Sequence, residues 1–151
     1  MNSRNELEGL ARAIFDSLAD IDGEGRRDKK RIAAHFAPDL LYRIPFLPNE
    51  IQFNDRDGFM HIIGASEGLF RKIVYSLDNF IIDVDTQSVA VEARGVRPLL
   101  KTGHEIKLKY VFVFKFRGNE VCEFREYGYC ADQNIISQAL NLDSFSEAKA
   151  V

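Results

Sequence analysis

The stretch Tyr110–Tyr129, YVFVFKFRGNEVCEFREYGY, decides the fold. Strand side chains alternate with period two, so Tyr110, Phe112, Phe114 and Phe116 share one face and Val111, Val113 and Lys115 take the other. Arg117-Gly118-Asn119 interrupts the run with residues that tolerate positive φ, as a tight hairpin requires. The return strand sets Cys122, Phe124, Glu126 and Gly128 on one side and Glu123, Arg125, Tyr127 and Tyr129 on the other. Glu126 thereby shares a face with an aromatic ring. A carboxylate in that position is either a paired structural group or a chemical one.

The segments before this hairpin read as more strands. Ile73–Asp83 and Ser88–Arg97 alternate and are joined at Asp85-Thr86-Gln87. Thr102-Gly103 turns the chain into the strand from Glu105. Near the N-terminus, Ser3 and Glu6 have capping-box spacing. Leu7, Leu10, Ala11, Ile14, Phe15 and Leu18 then recur at the i, i+3, i+4, i+7 spacing of one helix face. A second helix is expected over Asp28–Phe36, stopped by Ala37-Pro38-Asp39, because a proline holds the residue before it extended. A short strand over Leu40–Phe46 follows, bounded by Pro45 and Pro48, then a loop to Phe53. Asn54 or Asp55 caps a third helix bearing Phe59, Ile62, Ile63, Leu69 and Phe70. A last helix is expected over Asp132–Leu142, before a frayed tail. Helices set against a run of antiparallel strands make an α+β domain. A curved sheet wrapped on a long first helix leaves a cavity at its open end, where small molecules usually sit.

Composition narrows the function. The 151 residues, 46% of them hydrophobic, suit one domain with a real core, and a net charge of −3 gives nucleic acid no electrostatic footing. No apolar run is long enough to span a bilayer, and MNSRNELEGL lacks a signal-peptide core, so a cytoplasmic protein is expected. Cys122 and Cys130 on one strand would lie roughly 26 Å apart, beyond the ~7 Å Cα separation a disulfide allows, and should be free thiols.

The element order, with FAPDLLYRIP and the ending KYVFVFKFRGNEVCEFREYGYCAD, resembles the SnoaL-like branch of the NTF2-like superfamily. That group includes ketosteroid isomerases, polyketide cyclases, limonene-epoxide hydrolase and the phenazine-biosynthesis A/B proteins. The resemblance covers about Leu7 to Asp132. It implies a cone-shaped curved antiparallel sheet around the N-terminal helix, a pocket between helices and sheet, and a homodimer. It also has departures. Where ketosteroid isomerases carry a general-base Asp before a proline, this chain has Ile44. Where they carry an oxyanion-hole Asp, it has Phe112. The Asp-Arg-Asp set of limonene-epoxide hydrolase is absent. The nearest functional echo is the phenazine-biosynthesis A/B group, whose helix histidine and last-strand glutamate match His61 and Glu126.

Glu126 and His61 are therefore the candidate acid–base pair, since a desolvated Glu and a His both exchange protons near neutral pH. The competing roles are an ion pair for Glu126 and a surface position for His61. Tyr42, Phe15, Tyr110, Phe112 and Phe124 are the candidate substrate-binding residues, with core packing as the alternative for each. Arg94 and Arg125 are expected to pair carboxylates on neighbouring strands. Gly64-Ala65-Ser66-Glu67-Gly68 matches a nucleophile elbow but lacks the strand that must precede one. A loop from Asp20 faintly resembles a calcium loop but ends in Arg31, where the twelfth ligand should be Glu. His35, His61 and His104 form no chelating spacing with a cysteine, and no phosphate-cradling glycine loop occurs, so no metal and no cofactor is expected. The reading is a small-molecule-binding protein, an isomerase or cyclase working by proton transfer on a small organic metabolite. The alternative is a non-catalytic dimeric module with a vestigial pocket. Convergent polar groups in a deep cavity would favour the first, and a filled cavity the second.

Overall fold

The computed structural model describes residues 1–45 and 47–130. The helix expected over Asp132–Leu142, and the tail, lie outside the described residues. Three helices, α1 (Arg4–Ala19), α2 (Lys29–Ala33) and α3 (Arg56–Ala65), accompany six strands: β1 (Phe36–Ile44), β2 (Ile51–Phe53), β3 (Val74–Asp83), β4 (Ser88–Pro98), β5 (Glu105–Arg117) and β6 (Glu120–Cys130). The strands form one curled open sheet in the order β2-β1-β6-β5-β4-β3.

α1 begins at the expected capping box. Ser3 N donates to Glu6 Oε2 at 2.7 Å, and Glu6 N donates to Ser3 Oγ at 3.4 Å. Its stripe of Leu7, Ala11, Ile14, Phe15 and Leu18 is buried against the concave side of the sheet. Phe15 stacks on Phe112 at 5.1 Å and meets Tyr75 edge-on at 5.0 Å. Each ring removed from water in this way stabilises the fold by about 1.5–3 kcal/mol.

The central hairpin has the expected alternation, with Tyr110, Phe112, Phe114 and Phe116 all inward and Gly118 at φ 62° in the turn. On β6 the alternation holds only from Phe124 onward. Val121 pairs with Phe116 and Glu123 with Lys115, leaving Cys122 as the extra residue of a bulge. Val121, not Cys122, is therefore buried on the Phe124 side, and the Cys122 thiol donates to Lys115 O at 3.4 Å. Beyond the bulge Phe114 faces Phe124, Phe112 faces Glu126 and Tyr110 faces Gly128. Neither cysteine forms a disulfide among the described residues, as expected.

Further expectations are corrected. The third helix ends at Ala65, so Leu69 and Phe70 lie beyond it, and Phe70 bridges to Leu99. The second helix ends at Ala33, and Phe36–Asp39 belongs to β1. Pro38 is tolerated because the β1–β6 pairing is irregular between Phe36 and Leu41, so its missing N–H breaks no ladder bond. The segment to Phe53 is not all loop. Ile51–Phe53 forms the edge strand β2, with Ile51 and Phe53 buried, in an alternation three residues long. The sheet is mixed, since β1 runs parallel to β6 while the other pairs are antiparallel. The outer face is largely polar. There Arg94 holds Asp78 through two 2.8 Å bonds across β4 and β3, as expected. Among the described residues, no helix is long and apolar enough to cross a membrane.

Candidate functional site

α3 sets one wall of a cavity at the open end of the sheet. Asp55 caps it, accepting from Gly58 N at 2.7 Å. Phe59, Ile62, Ile63 and Ser66 then follow i, i+3, i+4, i+7 spacing and line the cavity. The strands supply the rest: Tyr42 from β1, Tyr75 from β3, Arg97 from β4, Tyr110 and Phe112 from β5, and Phe124 and Glu126 from β6. The cavity volume is about 140 Å³, close to that of an apolar cavity able to hold benzene, ~150 Å³.

Glu126 sits within this wall, and the surface it keeps faces the cavity. The Tyr42 hydroxyl donates to its Oε2 at 2.7 Å. Burial raises the Glu126 pKa above the ordinary 4.5, against the opposing pull of the Tyr42 hydrogen bond and the charges of Arg97 and Arg27. Burial, followed by the Glu126 charge, holds Tyr42 well above the usual phenol range, so its proton stays on the oxygen. The Tyr110 ring lies flat between two glycines. A Cβ at Gly95 would stand 2.9 Å from its Cε2, and one at Gly128 would stand 3.3 Å from its Cδ1. Those missing side chains make the space for the ring. Its hydroxyl is buried with no hydrogen-bond partner among the described residues.

Two arginines complete the site. Arg97 lies over the rings of Phe70 at 5.3 Å, Tyr110 at 5.5 Å and Tyr75 at 6.0 Å, and donates to the Tyr75 hydroxyl at 3.2 Å. Burial opposes its charge, and the acidic groups of Tyr110, Tyr75 and Glu126 more than offset that, so Arg97 stays a cation. Arg27 comes from the α1–α2 loop. There Asp22 Oδ1 accepts from Glu24 N and Arg26 N at 2.9 Å each and turns the chain back. Arg27 Nη1 donates to Ser66 Oγ at 2.8 Å. Burial, then the like charge of Arg97, pulls Arg27 down to about 10.

Of the residues singled out in the sequence, the fold brings Glu126, Tyr42, Tyr110, Phe112 and Phe124 together around the cavity. Phe15 is instead packed in the core behind Phe112 and does not line the cavity. His61 is exposed and absent from the lining. It falls two residues after Phe59, about 200° around a helix whose cavity face is set by the 59, 62, 63, 66 stripe. Ser66 does line the cavity, but as the C-cap of α3, with its hydroxyl donating to Ile63 O at 2.8 Å, not on a strand-to-helix elbow. Asp20 and Asp22 pair with Arg31 and Arg26, and no cluster of metal-ligating side chains occurs among the described residues. Sequence reasoning missed Arg97, Arg27 and Tyr75. Arg97 had a signal, since Val89, Val91, Ala93 and Gly95 all turn inward and the same parity carries Arg97 with them. Arg27, in a loop, had none.

A curled six-stranded sheet over an N-terminal helix, with a cavity at its open end, is the architecture of NTF2-like proteins. The SnoaL-like domain family matches residues 12–124, and the chain belongs to that family. No curated protein matches the sequence. Among solved structures, PrhC from Penicillium brasilianum NBRC 6234 is similar over 96% of this chain and 94% of its own, with a TM-score of 0.73 and 10% identity. An NTF2-like protein from Anabaena variabilis ATCC 29413 is similar over 85% and 93%, with a TM-score of 0.68 and 18% identity. An LEH-like epoxide hydrolase from M. tuberculosis is similar over 91% of both chains, with a TM-score of 0.65 and 13% identity. At such identities the likeness is one of fold.

Proposed function

We propose that the protein is an enzyme acting on a small organic molecule by proton transfer, an isomerase or cyclase with Glu126 as the base. The observation that carries this reading is the Tyr42–Glu126 pair, a carboxylate inside an aromatic cavity that takes its 2.7 Å hydrogen bond from a phenol and not from an arginine. Burial keeps Glu126 more basic than an exposed glutamate. It can take a proton from an acidic C–H and return it at a neighbouring atom. Tyr42 holds the carboxylate in place, and the Tyr110 hydroxyl, unpartnered among the described residues, offers an O–H to the substrate. The convergence of these groups on an open cavity favours chemistry over a vestigial pocket.

Deuterium uptake by small cyclic ketones and unsaturated acids in D2O, followed by NMR, tests this. Catalysed exchange is expected with the native protein, falling about 10²–10⁴-fold in Glu126→Gln. Equal exchange in that variant would refute the assignment. The rate should also decline as pH falls through the Glu126 pKa, because the base must be ionised, and the midpoint should lie above 4.5. The exposed Val74, Ile81, Val111, Tyr127 and Tyr129 side chains leave room for the homodimer suggested by the family resemblance. A clean monomer in sedimentation at micromolar concentration would refute the dimer.

A further inference from the structure

We infer that the cavity is built for an organic acid: Arg97 and Arg27, with the Tyr110 hydroxyl, hold a substrate carboxylate while Glu126 acts on the carbon skeleton beside it. The inference rests on Glu126 as the working base and adds the chemical class of the substrate.

The charges in the wall carry the argument. Among the described residues, two guanidinium groups and one carboxylate line the cavity, which leaves that wall positive by one charge even with Glu126 ionised. Neither arginine forms an ion pair among the described residues. The Nε of each is buried without a hydrogen-bond partner, as is the Tyr110 hydroxyl. Both guanidinium groups are half-buried, and every buried donor left unmade costs free energy. Rings around Arg97 and the Glu126 charge offset the burial of its own charge. The rings cannot satisfy N–H donors. A carboxylate can, because a planar guanidinium fork matches its two oxygens.

Two structural explanations fall short. Arg27 does tie the α1–α2 loop to the end of α3 through Ser66, but that uses Nη1 alone and leaves Arg97 unexplained. The arginines could have existed to neutralise Glu126, yet Glu126 takes its hydrogen bond from Tyr42. The glycine cradle points the same way as the charges. Gly95 and Gly128 fix the Tyr110 ring beside Arg97, which gives the anion a third donor. A cavity of about 140 Å³ leaves room for a body about one ring in size next to the acid group.

Benzoate and benzamide, alike in shape and different in charge, are the probes, with affinities measured by ligand-observed NMR on the intact protein. Benzoate should bind about 10–100-fold more tightly than benzamide, the range expected for charge-assisted hydrogen bonds. Arg97→Gln should erase that preference by weakening benzoate much more than benzamide. Arg27→Gln serves as the second variant should the first fail to fold. Glu126→Gln should tighten benzoate, because it removes a like charge from the cavity. Equal affinities in the native protein, no benzoate binding, or a preference surviving in both arginine variants would overturn the inference. Benzoate preference together with silent deuterium exchange would leave the organic-acid site standing and remove Glu126 as the base.

Discussion

The concave face of the sheet has two ends lined by the same strands, and they differ in a single respect. At the hairpin end Phe114, Phe116, Val121 and Phe124 pack with Phe36 and α1, and the ring contacts run from Phe114–Phe124 at 4.8 Å to Phe114–Phe116 at 6.3 Å. At the open end the same strands carry Tyr110, Glu126 and Arg97. The change is staggered across the sheet, since Arg97 pairs with Ile106, two inward positions beyond Tyr110. Phe112 pairs with Glu126, and the next inward residue of β5, Tyr110, pairs with Gly128. On β4 the apolar Val89, Val91 and Ala93 give way to Gly95 and Arg97. A sheet that needed only a core would have continued the phenylalanines. The switch to oxygen and nitrogen towards the open end, with some of those atoms unpartnered among the described residues, separates the part of the fold that holds the protein together from the part that lines the cavity.

Truncation at the closed end should have the largest effect. Phe114→Ala removes a fully buried ring and should cost about 3–5 kcal/mol of stability in urea unfolding. A loss under about 1 kcal/mol would mean that the hairpin end is not the anchor described here. At the open end, Tyr42→Phe removes a hydrogen bond to a charged group and should cost about 1.5–3 kcal/mol. It should also raise the Glu126 pKa further, since that bond pulls it down, and move the pH midpoint of exchange upward. An unmoved midpoint would show that the phenol does not set the basicity of the carboxylate. Tyr110→Phe should be milder, within about 1 kcal/mol of native stability, because the hydroxyl it removes has no partner among the described residues. Deuterium exchange should nevertheless slow. Full activity in that variant would place Tyr110 among the packing residues of the closed end.

The same division explains what could be read from the sequence. The hairpin, α1 with its capping box, and the inward stripe of β5 were legible because side-chain period and turn chemistry are local. Glu126 was legible for a narrower reason. The bulge at Cys122 lies before Phe124, so counting in twos back from Glu126 holds as far as Phe124, and the next step lands on Cys122, whose inward place Val121 has taken. β2 was hidden because Ile51–Phe53 is too short to show a period, and its pairing with β1 is set by tertiary contact. His61 looked plausible by family resemblance, and the helix stripe that turns it outward appears only once Ser66 is counted with Phe59, Ile62 and Ile63. Arg27 was unreachable, since an irregular loop has no period from which to infer a direction.

The smallest effect is a difference of sign between the two ends under acid. His35 lies by the closed end, where its backbone oxygen accepts from Val121 N at 2.8 Å. Its Nε2 stands 2.7 Å from Ser17 Oγ, whose own proton goes to Ala13 O at 2.9 Å, so His35 must donate from Nε2. Burial, then the charge of Arg31, lowers its pKa below 6.5. A histidine depressed in the folded state contributes stability that is complete above the unfolded value and lost as pH falls through the folded one. Glu126 is raised in the folded state, so its contribution runs the other way: complete below 4.5, and lost as pH rises through the folded pKa. Below pH 6.5 the closed end should therefore weaken on acidification while the open end relaxes. Urea unfolding of the native protein, His35→Gln and Glu126→Gln across this range separates the two. His35→Gln should flatten the acid decline by roughly 0.5 kcal/mol or less after solvent screening, and Glu126→Gln should steepen it. The reverse pattern, with His35→Gln steepening the decline, would mean that the histidine is held charged in the fold and that the closed end is not the dry one.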